Sequence, residues 1–156
     1  MTFDPNSAVS ANEHIDVTDA LLRFGAGVDD GDRQLLATAF TGDAVVDFGP
    51  CGRKMGLDFS LMKGGETIIG FLGTTARTQT TSHFVTNARV HVEGHEANLR
   101  ALVDATHRPK QDPSRHCRMM NWYQVNLVKD QTFWRMRHVV IDNLWFTGDP
   151  KILLER

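Results

Sequence analysis

Three observations predict an α+β fold for this chain. Apolar residues at helical spacing are confined to its first half, four long runs of strand character fill the second, and the turns between those runs are short. Four such strands in sequence form an antiparallel meander, and the helices must bury their stripes against its concave face. The 156 residues, 41% hydrophobic and 23% charged, suit one domain spanning 1–156 with a core over about 12–150.

Element by element, Ser10-Ala11-Asn12-Glu13 has the form of a capping box, so a helix starts there. Val17, Leu21, Phe24 and Val28 then make one apolar stripe, and the glycines from Gly25 to Gly31 are expected to break the helix. Asp32 is a plausible N-cap for a second helix over 33–40, buried through Leu35, Leu36, Ala39 and Phe40. A short strand over 44–48 closes at Gly49-Pro50, and a third helical piece covers 66–72. The long strands are read at 79–92, 97–107, 117–128 and 133–145, with turns at Glu93-Gly94, 107–114 and Lys129-Asp130.

Charge and composition exclude several classes of function. Lys plus Arg number 17 against 19 Asp plus Glu, and the net charge of -2 is too small and too scattered for a nucleic-acid or polybasic membrane surface. No apolar stretch approaches the roughly 18 residues of a membrane span, and the irregular first residues lack a signal-peptide pattern, so a cytoplasmic protein is expected. Cys51 and Cys117 read as free thiols, and without Cys-x-x-Cys no metal site is expected.

Seven histidines are candidates for chemistry near neutral pH. His14 in the lead-in and His116 after a polar loop are expected to be solvated, and His91 and His95 flank a turn rather than sharing a helix face. His83 and His107 interrupt strands that face the core. In 97–107 the alternation Leu99, Ala101, Val103, Ala105 carries His107 inward. A two-residue Glu93-Gly94 turn would set Asp104 opposite His83; a three-residue turn would set Ala105 there and bring both histidines to one side, which the alternation favours. On a helical count Asp29 lies near the Leu21 stripe. From the residues alone, both histidines suit a satisfied core as well as a site, and Asp29 suits a solvated acid as well as an acid/base partner.

Val28-Asp29-Asp30-Gly31-Asp32, Gly42-Asp43-Ala44-Val45-Val46-Asp47-Phe48, Thr81-Ser82-His83-Phe84-Val85-Thr86-Asn87, Trp134-Arg135-Met136 and Leu144-Trp145-Phe146-Thr147-Gly148-Asp149-Pro150, in that order and spacing, resemble the SnoaL-like proteins of the nuclear transport factor 2-like superfamily. The resemblance covers roughly residues 12–150. It implies a cone-shaped half-open barrel whose N-terminal helices close an apolar pocket. Nearest in pattern are scytalone dehydratase and the bile acid dehydratases. By that resemblance Asp29, His83 and His107 are the catalytic residues, with His107 working with the aspartate. Asn121 and Tyr123 fall on inward polar positions, Phe24, Phe48, Phe71, Val139, Ile141 and Asn143 on the pocket wall, and His138 outside it. Scytalone dehydratase holds a water with two tyrosines where Val28 and Phe48 stand here, and bile acid dehydratases have a tyrosine at Phe24. Scytalone itself is therefore not the expected substrate, and Tyr123, the sole tyrosine, is the candidate for a replacement hydroxyl.

What the resemblance implies is a lyase without cofactor that eliminates water from a small apolar, aromatic or polycyclic hydroxylated substrate. An isomerase or cyclase using the same acid/base residues, or a non-catalytic binding or structural subunit, are the alternatives. Self-association through the convex face near Trp122, Arg137 and His138 is also implied.

Overall fold

A computed structural model describes residues 9–131 and 133–155 of the chain. The expected irregular start therefore falls largely on residues 1–8, outside the described residues. Helix α1 (Ala11–Asp30) opens with the capping box: Ser10 Oγ accepts from the Glu13 N–H, and the Glu13 carboxylate accepts from the Ser10 N–H at 3.0 Å. Val17, Leu21, Phe24 and Val28 are all buried, each worth roughly 1.5–3 kcal/mol relative to exposure. The helix does not break at Gly25. It continues to Asp30 and stops at Gly31, whose φ of 68° is the left-handed cap.

The glycines inside α1 permit close approach instead of ending the helix. A Cβ on Gly25 would lie 3.1 Å from the His83 Cβ, and one on Gly27 would lie 2.7 Å from the Leu36 Cγ. The helix thus pays a propensity cost of about 1 kcal/mol per glycine and gains direct contact with the strand and helix that flank the site. Arg23, only 9% exposed, fastens the same helix: it pairs with Asp19 at 2.7 Å and donates to the carbonyls of Thr38 and Trp134.

Helix α2 (Arg33–Ala39), capped by Asp32, leads directly into β1 (Phe40–Asp47), so Phe40 belongs to the strand. Gly49-Pro50 opens a short helix, α3 (Gly49–Lys54), which Lys54 ties to Asp142 at 2.8 Å and to the Asn143 carbonyl. Then follow β2 (Met62–Lys63), α4 (Gly65–Leu72) and the single turn α5 (Thr75–Thr78). The long strands are β3 (Gln79–Glu93), β4 (Glu96–Pro109), β5 (Cys117–Lys129) and β6 (Trp134–Gly148), and a 3-10 helix, Pro150–Leu154, follows them.

The six strands form one curved, unclosed sheet in the order β2-β1-β6-β5-β4-β3. The antiparallel meander β3 to β6 is as expected, while β1 adds to β6 in parallel. Helices and concave face enclose the core. Among the described residues no helix is long and apolar enough to cross a membrane.

The β3–β4 hairpin reaches its register by an unexpected route. Its turn is two residues, Gly94-His95, with Glu93 paired to Glu96. Between Thr86 and Arg89 two residues oppose Ala101 alone, a β-bulge at which Asn87 takes a φ of 54°. The bulge offsets the turn by one residue, so His83 still pairs with Ala105. It also switches the inward face of β3 from Gln79, Thr81, His83 and Val85 to Ala88, Val90 and Val92.

Candidate active site

The concave face and the helices above it enclose a cavity of about 400 Å³. Its wall is largely apolar, contributed by Phe24 and Val28 of α1, Phe48, Phe59, Met62, Phe71, Leu72, Met119 and Leu153. His83, His107, Asn121 and Tyr123 supply polar atoms from three adjacent strands, because odd positions of β3, β4 and β5 point inward together. Among the described lining residues there is neither Lys nor Arg, and Asp58 is the carboxylate among them.

Asp29 does not itself line the cavity. It stands behind His83, at the last turn of α1, and receives three hydrogen bonds from β3. Its Oδ1 meets His83 Nδ1 at 2.6 Å and accepts from Thr81 Oγ1 at 2.8 Å, while Oδ2 accepts from the His83 backbone N–H at 3.0 Å. Burial pushes the carboxyl up, but the hydrogen bonds and charge of His83 and the Thr81 hydroxyl outweigh it and hold Asp29 below the ordinary carboxylate range. A charged Asp29 fixes the His83 proton on Nδ1 and leaves Nε2 as the basic nitrogen. The ring is further held edge-on against Phe24, with centroids 5.7 Å apart.

His107 shares the pocket with His83, ring centroids 5.6 Å apart at 84°. Its partner differs from the one expected. Asp29 is bonded to His83, and His107 Nδ1 instead meets Gln79 Oε1 at 2.7 Å. The physical reason is strand order: α1 packs on β3, whose Thr81 and His83 fill the Asp29 carboxylate, and His107 lies one strand further away on β4.

Tyr123 is buried against Phe24, ring centroids 5.9 Å apart, and burial, with the nearby Cys51 and Asp29, pushes its hydroxyl pKa up. It therefore stays protonated, a donor at neutral pH. Asn121 is oriented from behind: Asn143 Nδ2 donates to its Oδ1 at 2.9 Å and to the Trp145 carbonyl at 2.9 Å. That turns the Asn121 amide nitrogen away from Asn143, toward the Met119 sulfur at 3.8 Å.

Of the residues expected in the wall, the structure brings Phe24, Phe48, Phe71, Asn121 and Tyr123 to the cavity. Val139, Ile141 and Asn143 lie one layer behind. Strand β6 is the next strand out from β5, and there the short helix α3 and Phe48 cover the sheet before the cavity is reached. Phe59, Met119, Leu153, Cys51 and Gln79 line the cavity without having been anticipated; for Gln79 the inward parity shared with His83 was the available signal. His14 is not simply solvated: it lies in α1, with Nε2 3.3 Å from the Ala88 carbonyl. His138 is exposed on the convex face, as is much of Arg137. Among the described residues no group of three or more His, Cys, Asp or Glu side chains converges to hold a metal ion.

Residues 10–140 match the family model described as SnoaL-like domain. No curated protein matches the chain. Among solved structures, a proposed aromatic ring hydroxylase from Novosphingobium aromaticivorans superposes with a TM-score of 0.80 at 21% identity, covering 93% of this chain and 99% of that one. A proposed scytalone dehydratase from the same organism gives 0.75 at 20% identity, with 89% and 93% covered. The hexachlorocyclohexane dehydrochlorinase LinA-type3 from Novosphingobium barchaimii gives 0.70 at 17%, with 89% and 91% covered. At these identities the likeness is one of fold.

Proposed function

This chain belongs to the SnoaL-like family, within the nuclear transport factor 2-like superfamily, and we propose that it is a cofactor-independent lyase. Its reaction is a dehydratase-type elimination on an uncharged, apolar, hydroxylated substrate of aromatic or polycyclic size. The observation that carries this reading is the Asp29–His83 pair, 2.6 Å apart, with the imidazole on the wall of an apolar cavity and the carboxylate behind it. The names of two of the three solved neighbours, a dehydratase and a dehydrochlorinase, support the same reading.

His83, donating Nδ1–H to Asp29, takes a proton from a substrate carbon through Nε2. The C–H electron pair becomes the new double bond as the C–O bond on the neighbouring carbon breaks. The departing hydroxyl takes the proton back from His83 and leaves as water, so the protein ends as it began. Asp29 stabilises the transient imidazolium by a charge-assisted hydrogen bond, a contribution of about 1.5–3 kcal/mol. Asn121 and Tyr123 supply donors for the substrate oxygens. A wall that is largely apolar, with no Lys or Arg among its described residues, supports a neutral substrate.

The test is to incubate wild type and an Asp29→Asn/His83→Ala double variant with a pool of hydroxylated aromatic and polycyclic compounds in deuterated water, and compare masses. A compound that loses water only with wild type is the expected result. Deuterium uptake without loss would make the protein an isomerase or cyclase, and identical spectra across a widening pool would refute catalysis in favour of a binding role. The family resemblance also implies a self-associating protein, which light scattering of the purified chain checks; a cytoplasmic location is the expectation from the sequence.

A further inference from the structure

Resting on that reading of the pocket, we propose that Gln79 is a positioning residue that fixes the tautomer of His107, making this ring a hydrogen-bond acceptor toward the substrate. The side chain of Gln79 is 2% exposed, and its amide has three oxygen or nitrogen neighbours. On one side stand the carbonyl oxygens of Ile152 and Glu155, 2.9 and 2.7 Å away; on the other stands His107 Nδ1, 2.7 Å away. Carbonyl oxygens only accept, so both protons of the NH2 group must face them. Turning the amide over would set its oxygen against two carbonyl oxygens and leave a buried clash of acceptors.

The Gln79 oxygen is thereby committed to His107, and an acceptor at 2.7 Å requires the proton on Nδ1. Nε2 then carries the lone pair. His83 is held in the same tautomer, but by a carboxylate rather than a neutral amide. The two rings stand 5.6 Å apart, one backed by a carboxylate and the other by an amide. A neutral ring with an accepting Nε2 selects a substrate that presents an O–H at that point and disfavours a carbonyl oxygen there. The same amide pins the 3-10 helix Pro150–Leu154, whose Leu153 closes the cavity, so one side chain sets both the ring and the wall beside it.

The tautomer is read by 15N–1H correlation of the histidine rings in the full chain near neutral pH, with no substrate needed, so its outcome is independent of whether the lyase reading holds. Wild type is expected to show His107 protonated at Nδ1 and bare at Nε2. Gln79→Met, similar in length but unable to accept in this way, is expected to lose that lock and give the Nε2–H form or a mixture, with His83 unchanged. Gln79→Glu keeps an acceptor and is expected to keep Nδ1–H even as it gives up both carbonyls. An Nε2–H form of His107 in wild type overturns the proposal, as does an unchanged Nδ1–H form in Gln79→Met. Should Gln79→Met not fold, the wild-type spectrum and Gln79→Glu decide it, loss of Nδ1–H in the latter being the refuting result.

Discussion

Replacing Asp29 by Asn tests the catalytic pair most directly, because the structure dictates how the new amide must sit. The His83 backbone N–H, 3.0 Å from Oδ2, can only donate, so the amide oxygen has to occupy that position. The NH2 group then falls where Oδ1 now meets His83 Nδ1 at 2.6 Å and Thr81 Oγ1 at 2.8 Å. The threonine hydroxyl can rotate to accept. The imidazole can satisfy the new donor only by moving its proton to Nε2, which removes the lone pair from the substrate side. An equivalent wrong-tautomer substitution in the Ser-His-Asp template lowers kcat by about 10⁴. Here a loss of about 10³–10⁴ in kcat is expected, or about 4–5.5 kcal/mol at 1.36 kcal/mol per tenfold. KM should change little, since Asp29 is not among the cavity-lining residues. The assay is steady-state turnover of whatever compound loses water with wild type, paired with 15N shifts of the His83 ring. A kcat within tenfold of wild type, or a His83 ring that keeps its proton on Nδ1, would refute the reasoning.

Three further outcomes follow from the same geometry. Gly27→Ala should lower Tm: its Cβ would press on Leu36, an overpacking cost of about 1–3 kcal/mol against a helix-propensity gain of about 1. Gly70→Ala in α4 meets nothing within 4 Å and should raise Tm by a few degrees; calorimetry that ranks the two in the opposite order contradicts the packing argument. Asp29 and Asp104 are both held below the ordinary carboxylate value, Asp29 by His83 and Thr81 against its burial, Asp104 chiefly by its hydrogen bond from Arg118. The unfolded chain therefore binds more protons below the ordinary carboxylate pKa of about 4, so stability present above that pH is lost as pH falls; a urea midpoint that is flat from pH 5 to 3 is the contrary result. Burial first, then Cys117 and Asp142, push the Cys51 thiol up to about 12, and burial with Asp149 pushes Cys117 up to about 11. Neither should react with iodoacetamide at pH 8 until the protein is denatured, and mass spectrometry that finds native alkylation removes that account.

Local pattern made much of this legible. The capping box, the Val17-Leu21-Phe24-Val28 stripe and the alternation in β4 each report a buried face by periodicity, and the structure realises them. The continuation of α1 through Gly25 and Gly27 was not legible, because the reason for those glycines lies on β3 and α2, distant in sequence. The same holds for Gln79 and Asn143, each of which acts on a partner more than twenty residues away. His83 and His107 were readable as inward residues; that Asp29 serves the first and an amide the second is a matter of where three strands and a helix end meet. The parity switch in β3 was written in the spacing of three between Val85 and Ala88, both partly buried, but a single strand with two faces reads as noise until its partner is known.

That bulge makes the position of the base a matter of counting. If Asn87 and Ala88 each took its own partner, so that β3 paired without a bulge from the Gly94-His95 turn onward, everything before them would shift by one residue. His83 would rotate to the convex surface and Phe84, now 68% exposed, would swing into the cavity in its place. The hairpin behaves like a combination dial, in which a one-notch error at the turn is cancelled by a one-notch error four residues from the imidazole. Removing Asn87 or Ala88 alone would erase the bulge yet leave Thr86 opposite Leu102 and His83 opposite Ala105, so a one-residue deletion there should keep the imidazole in the cavity.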